Sequence, residues 1–143
     1  MPEKKTIEKA RQDKREGKAP STQAGEFVHE EIEHVKEGKH GARSTKQAIA
    51  IGLSKARRSG VKLSPPKGSA ARKSAQSASR RAGKKASPTR SRATRSALKR
   101  EGRSAASRSA LARQARTTAK RRGPAARHQA AVKAARTRKR HSH

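Results

Sequence analysis

Ser44 to Val61 reads STKQAIAIGLSKARRSGV, and signals at several levels agree on it. Ser44 is a helix N-cap with Gln47 three residues on as its reciprocal partner, and Gly60 followed by Val61 writes a left-handed C-terminal stop. Between them Ile49, Leu53 and Ala56 recur at i, i+4 and i+7 and predict a narrow apolar stripe. Lys55, Arg57 and Arg58 load the last turn with positive charge that suits the helix dipole, and Val61 is placed to fold back on Ala56. Gly52, at a mid-helix position that costs about 1 kcal/mol relative to Ala, predicts close approach of another backbone. Two roles fit such an element: the core helix of a small domain, or a helix whose basic last turn touches phosphate.

Working outward, the chain before this helix supplies its partners. Glu3 to Glu16 are good helix formers with only Ile7 and Ala10 apolar, so a solvated helix is expected there. Gly17 to Pro20 breaks it. Ser21 or Thr22 then opens a second helix whose Ala24, Val28, Ile32 and Val35 follow 4, 4, 3 spacing, with Phe27 beside them. Gly38 stops it, and the polar loop KHGAR leads to Ser44, a connection short enough to make the two helices antiparallel neighbours or a helix-turn-helix corner. The polar face of the second helix carries Glu26, Glu30, Glu31, Glu33 and Glu37, which complements the basic end of the third. The apolar inventory is small, so the hairpin is expected to be marginal alone and to gain from self-association or a protein partner.

Composition bounds the rest. Of 143 residues, 40 are Lys or Arg and 10 Asp or Glu, giving a formal charge of +30; there is one Phe and no Trp, Tyr or Cys. With a mean hydropathy of −1.21, much of the chain falls where burial cannot offset chain entropy. Residues 1–62 hold 15 basic and 9 acidic side chains, residues 63–143 hold 25 and 1, so the charge boundary lies near Leu63. The expected organisation is mostly α: a small helical module over 1–62, and a low-complexity basic tail over 63–143, disordered or helical on binding. Within the tail, Thr89 to Arg122 and Pro124 to Lys139 favour helix once phosphates neutralise their repulsion. The lack of Cys rules out disulfides and thiolate metal sites, and no apolar run approaches the ~20 residues of a membrane span or the core of a secretory signal.

A polyanion is the natural partner of such a chain, because released counterions drive cationic segments onto nucleic acid whatever its base sequence. The candidate nucleic-acid contacts are Lys55, Arg57, Arg58, Lys67, Arg72, Lys73, Arg80, Arg81, Lys84, Lys85, Arg90, Arg92, Arg95, Lys99, Arg100, Lys120, Arg121, Arg122, Arg136, Arg138, Lys139 and Arg140. Duplex DNA is favoured and RNA or the ribosome is an alternative, though missing Tyr and Trp argue against base stacking on single strands. The rival from another class is a protein-interaction module in which the helix at 21–37 docks a partner and the tail is an electrostatic tether. Catalysis is not expected: no nucleophile, base and orienting acid cluster and no phosphate-cradling Gly-rich loop stands in the sequence, and no cofactor is implied. His29 and His34 mimic a zinc-protease helix, but a spacing of i, i+5 leaves their rings ~140° apart, so no metal site is assigned to that pair. The C-terminal His141 and His143 are treated the same way.

APSTQAGEF at 19–27 and GKHGARSTKQAIAIGLSKARRSGVKL at 38–63 resemble a small family of bacterial proteins labelled DNA-binding or plasmid-stabilising. The resemblance covers about the first 63 residues and implies a helical module in a bacterial cytoplasm, with no catalytic residue. The tail is similar to those of linker histones and bacterial histone-like proteins: Ser64-Pro65-Pro66-Lys67 and Ser87-Pro88-Thr89-Arg90 look like S-P-x-K/R turns, which offer a cation to a DNA groove. These likenesses imply a histone-like, nucleoid-associated role.

Overall fold

The computed structural model describes residues 1–64 and 87–141, apart from the side chain of His141. The chain is mostly helical, with no strand among the described residues: α1 (Lys4–Arg15), α2 (Pro20–Glu37), α3 (Thr45–Arg58), α4 (Pro88–Arg100), a single 3-10 turn (Ser104–Ala106) and α5 (Arg108–His141). It divides into two compact units, Met1–Ala106 and Ser107–His143. Sequence from both sides of the charge boundary near Leu63 therefore builds the first unit.

α3 begins and ends where its sequence says. Ser44 Oγ accepts from the Gln47 N–H at 3.2 Å, and Gln47 Oε1 accepts from the Arg43 N–H at 2.8 Å, one residue before the cap. At the far end Gly60 adopts φ 89°, and the amides of Val61 and Gly60 bond back to the carbonyls of Ala56 and Arg57 at 3.1 Å each. α2 stops the same way: Gly38, at φ 78°, and Lys39 return hydrogen bonds to Val35 and His34. The start of α2 is different from the expected serine or threonine cap. Pro20 opens the helix after Ala19, with no side-chain cap, because proline at the first position has no amide to satisfy.

The face that α3 buries is not the one its large residues mark. Thr45, Ala48, Gly52 and Ala56 are buried, while Ile49 and Leu53 sit half-buried at the margin. Small side chains let α2 come close: a Cβ on Gly52 would lie 2.7 Å from Val28 Cα and 3.0 Å from the Phe27 carbonyl oxygen. The close approach expected at Gly52 is therefore present, and it moves the contact onto the row Ala48, Gly52, Ala56. Phe27 fills the space beneath, completely buried with Ala10, Ala24 and Ala56 and flanked by Ile7, Leu53, Val61 and Leu63. Ala10 comes from α1, which also buries Thr6 and Asp13. The solvated first helix of the sequence reading is thus corrected: α1 packs on α2 through a small, partly polar face that hydropathy underrates.

The second cluster, Val35, Ala42, Ala48, Ala105 and Ala106, with Ile32 beside it, depends on chain beyond residue 87. The segment after α4 returns to the loop between α2 and α3. The amides of Gly41 and Ala42 donate to the carbonyls of Leu98 (2.8 Å) and Gly102 (3.0 Å), and Thr45 Oγ1 donates to the Ala105 carbonyl at 2.6 Å. Arg103 reaches the exposed end of α2 at the Lys36 carbonyl, 3.4 Å away, and Arg43 lies 3.6 Å from Glu101. Gly41 has no room for a side chain, since a Cβ there would overlap the Glu101 carbonyl.

Over the described part of the tail, the expectation of disorder is also corrected. α4 and α5 are ordered helices, as their Ala, Arg, Lys and Leu content favours. Ser107 caps α5 by accepting the Ala110 amide at 3.2 Å, and Thr94, Thr117 and Thr137 hydroxyls bond to carbonyls four residues back instead of competing with the helix. Repulsion between neighbouring cations costs only a few tenths of a kcal/mol per pair and does not cancel those preferences. The break foreseen between Arg122 and Pro124 is real: Gly123 has φ 76° and ψ 169°, and Pro124 opens the second arm. The break at 101–107 was not legible.

Candidate functional site

Charge is laid out in two ways. Along α2 the acidic charge is largely paired within the head. Glu30 and Glu31 are buried on the α3 side of α2, and Lys55 reaches both, at 3.2 Å and 2.7 Å. Burial pushes the Glu30 carboxyl up, but hydrogen bonds from Thr6, the Glu3 amide and Lys55 outweigh it and hold the group below the usual carboxylate range. Glu26 pairs with Lys9, Glu33 with Lys36 and Glu37 with Lys39. The acidic face of α2 is therefore an internal framework.

Beside it lies a denser group. Glu31, His34 and His40 bring one potential ligand atom each to within 4.8 Å of one another, with Glu31 fully buried and the two rings half-buried. His40 Nε2 is 3.1 Å from Glu31 Oε1, and the rings of His34 and His40 meet edge to face with centroids 6.2 Å apart. His34 Nε2 is 3.0 Å from Glu3 Oε1. The Glu3 carboxyl lies below its ordinary range because of hydrogen bonds from His34 and Lys39. The sequence signal for this group was Glu31 and His34 at i, i+3 on one helical face, followed by a glycine turn and His40. Comparing His34 with His29 pointed to the wrong neighbour, since His29 faces solvent.

In the C-terminal half charge is unbalanced. α5 carries twelve Lys and Arg and no Asp or Glu, and every one of those cationic residues is exposed. Of the predicted contacts, Lys120, Arg121, Arg122, Arg136, Arg138, Lys139 and Arg140 are exposed on α5; Arg90, Arg92, Arg95, Lys99 and Arg100 are exposed on α4; Arg57 and Arg58 are exposed at the end of α3. Lys55 is a correction: it points inward and pairs with the buried carboxylates of Glu30 and Glu31. Lys67, Arg72, Lys73, Arg80, Arg81, Lys84 and Lys85 lie outside the described residues, as does most of the first Ser-Pro turn. The second Ser-Pro site is the start of α4, with Pro88 at its first turn. Arg108, Arg113, Arg116, Arg127 and Lys133, which the sequence reading did not single out, are exposed on α5 as well.

Among the described residues no helix is long and apolar enough to cross a membrane. Residues 3–68 match a protein family described as a family of unknown function (DUF6496). No curated protein and no solved structure matches the chain. The matched span contains α1, α2, α3 and the Glu31, His34 and His40 group; α4 and α5 lie beyond it.

Proposed function

We propose that the chain binds nucleic acid, duplex DNA first, by phosphate contacts from α4 and α5 without base specificity, as a histone-like component of a bacterial nucleoid in the cytoplasm. The proposed role is binding, not catalysis. The observation that supports it most is α5: twelve exposed cationic residues across its two arms, which contain no Asp or Glu. A helix with side chains is ~10–12 Å across and the major groove ~12 Å wide, so such an element fits along duplex DNA while its cations meet phosphate on both sides. The acidic helix α2 is a poorer partner surface, because Glu30 and Glu31 are buried and its other carboxylates are paired with neighbouring lysines.

The test is a salt titration of the full chain on duplexes of unrelated sequence. If about eight phosphates are engaged, log affinity against log salt slopes near −7, equally for every sequence. Replacing Lys120, Arg121 and Arg122 together by Ala flattens the slope by up to about 2.7, with little change in sequence preference. A salt-independent affinity overturns the reading; tighter binding to structured RNA than to duplex DNA at equal salt reassigns the partner.

A further inference from the structure

We propose that Glu31, His34 and His40 bind one divalent transition-metal ion of the Zn2+ class. Two imidazoles and one carboxylate are the borderline donor set such ions select, and the three donors already lie within 4.8 Å of one another. The argument begins with Glu31. Its side chain is completely buried, and its oxygens face Lys55 Nζ at 2.7 Å and His40 Nε2 at 3.1 Å, neither aligned as a hydrogen bond. Lys55 neutralises Oε2 and leaves Oε1 directed at His40.

The His40 ring is anchored on its other side, where Nδ1 lies 3.0 Å from the Gly41 carbonyl. The carbonyl can only accept, so Nδ1 carries a proton; in the neutral ring Nε2 then turns a lone pair toward Glu31 Oε1, and the facing pair is satisfied either by a proton on Nε2 or by a metal ion between them. A tetrahedral ion with donors at ~2.0–2.1 Å places any two of them about 3.3 Å apart, close to the 3.1 Å between His40 Nε2 and Glu31 Oε1, and the full set, within 4.8 Å, has to draw in to meet it. His34 stands three residues from Glu31 on the same face of α2, and Glu3 Oε1 at its Nε2 brings a further carboxylate to the edge of the group. Both rings keep an exposed edge, 12% for His34 and 19% for His40, through which an ion enters. A bound ion ties the end of α2 to the loop carrying Gly41 and Ala42, the loop that seats residues 98–106. It also lies wholly inside the span shared with the matching family.

The test uses the full chain with His29, His128, His141 and His143 replaced by Ala, which leaves His34 and His40 as its only histidines. Titration of Zn2+ against a chromophoric chelator should give one ion per chain, and Co2+ should give the intense visible absorption of a tetrahedral site. Adding His40→Gln, His34→Gln or Glu31→Gln should weaken Zn2+ binding by at least about 100-fold while circular dichroism shows the helices intact. If a variant loses its helices, the parent decides: Zn2+ should raise its melting temperature and the amide protection of Ala42 and Ala106, and chelator should reverse both. Absence of micromolar Zn2+ binding by the parent, or unchanged affinity in folded His34→Gln and His40→Gln, overturns the proposal.

Discussion

Gly41→Ala isolates the attachment of residues 98–106 to the helical head. The added Cβ falls on the Glu101 carbonyl and 2.8 Å from the Gly102 carbonyl oxygen, both main-chain groups with no flexible end to swing aside. Relief requires that the 101–102 segment lift, which strips the Gly41 and Ala42 amides of their acceptors and draws Ala105 from Thr45. Three hydrogen bonds at about 1 kcal/mol each, and two buried Ala methyls at about 0.8 kcal/mol each, set an upper limit near 4–5 kcal/mol. Freed chain entropy offsets part of that, so we expect a net loss of roughly 2–4 kcal/mol in the seated state, a 30- to 1000-fold rise in its opening equilibrium. Hydrogen exchange resolves it: the amides of Gly41, Ala42 and Ala106 should lose protection by that factor, while those inside α2 and α3 change much less. Gly102→Ala is the control, because a Cβ there meets nothing nearer than Ser104 Oγ at 4.0 Å. Unchanged protection at Ala42 and Ala106 in Gly41→Ala would refute the reasoning, since the overlap would then be absorbed without unseating the segment.

Three further outcomes are expected. Phe27→Ala, which empties the largest fully buried apolar site, should cost about 3–5 kcal/mol and appear as a sharp fall in the urea midpoint. Gly25→Ala and Gly52→Ala, both within helices, should move in opposite directions: the first, with nothing within 4 Å, gains about 1 kcal/mol of helix propensity, whereas the second pays about 1–3 kcal/mol in overpacking against Val28 and ends neutral to destabilising. Lys18 is held above its ordinary pKa by hydrogen bonds first to Asp13 and then to Glu16, so its contribution to stability is full below the unfolded lysine value of about 10.4 and is lost as pH rises through the higher folded value. The melting-temperature gap between wild type and Lys18→Met should therefore be constant through neutral pH and begin to close above about pH 10.4; a gap that does not narrow above that pH would contradict the assignment.

The helices of the head were legible because their ends are written locally: Ser44 with Gln47, Gly38, and Gly60 with Val61 act through bonds within a few residues. The packing was less so. Hydropathy pointed to Ile49 and Leu53, whereas the contact with α2 runs along Ala48, Gly52 and Ala56, where smallness rather than apolarity decides how closely two helices approach. The 98–106 segment was illegible for a different reason: its hold on the head consists of main-chain hydrogen bonds and two alanines, neither of which leaves a hydropathy signal. Lys55 was misread because the carboxylates that capture it stand 24 and 25 positions away on another helix. For the exposed cations of α4 and α5 the sequence was sufficient, since a segment nearly free of Asp and Glu has little with which to neutralise them.

The way residues 98–106 are held has a consequence for assembly. The seat on the loop at 41–45 recognises backbone carbonyls and two small side chains, so it does not distinguish the chain's own segment from the same segment of another copy. Segment and seat are joined through the sequence between residues 64 and 87, and in general the entropic cost of closing a connection rises only logarithmically with its length, by about 0.6 kcal/mol for each doubling. Lengthening the connection would leave the intramolecular arrangement nearly as favourable as before, while shortening it until it no longer reaches would leave every seat empty and every segment unseated. Two such chains satisfy each other by reciprocal exchange, giving a domain-swapped dimer whose interface is the monomer's own fold.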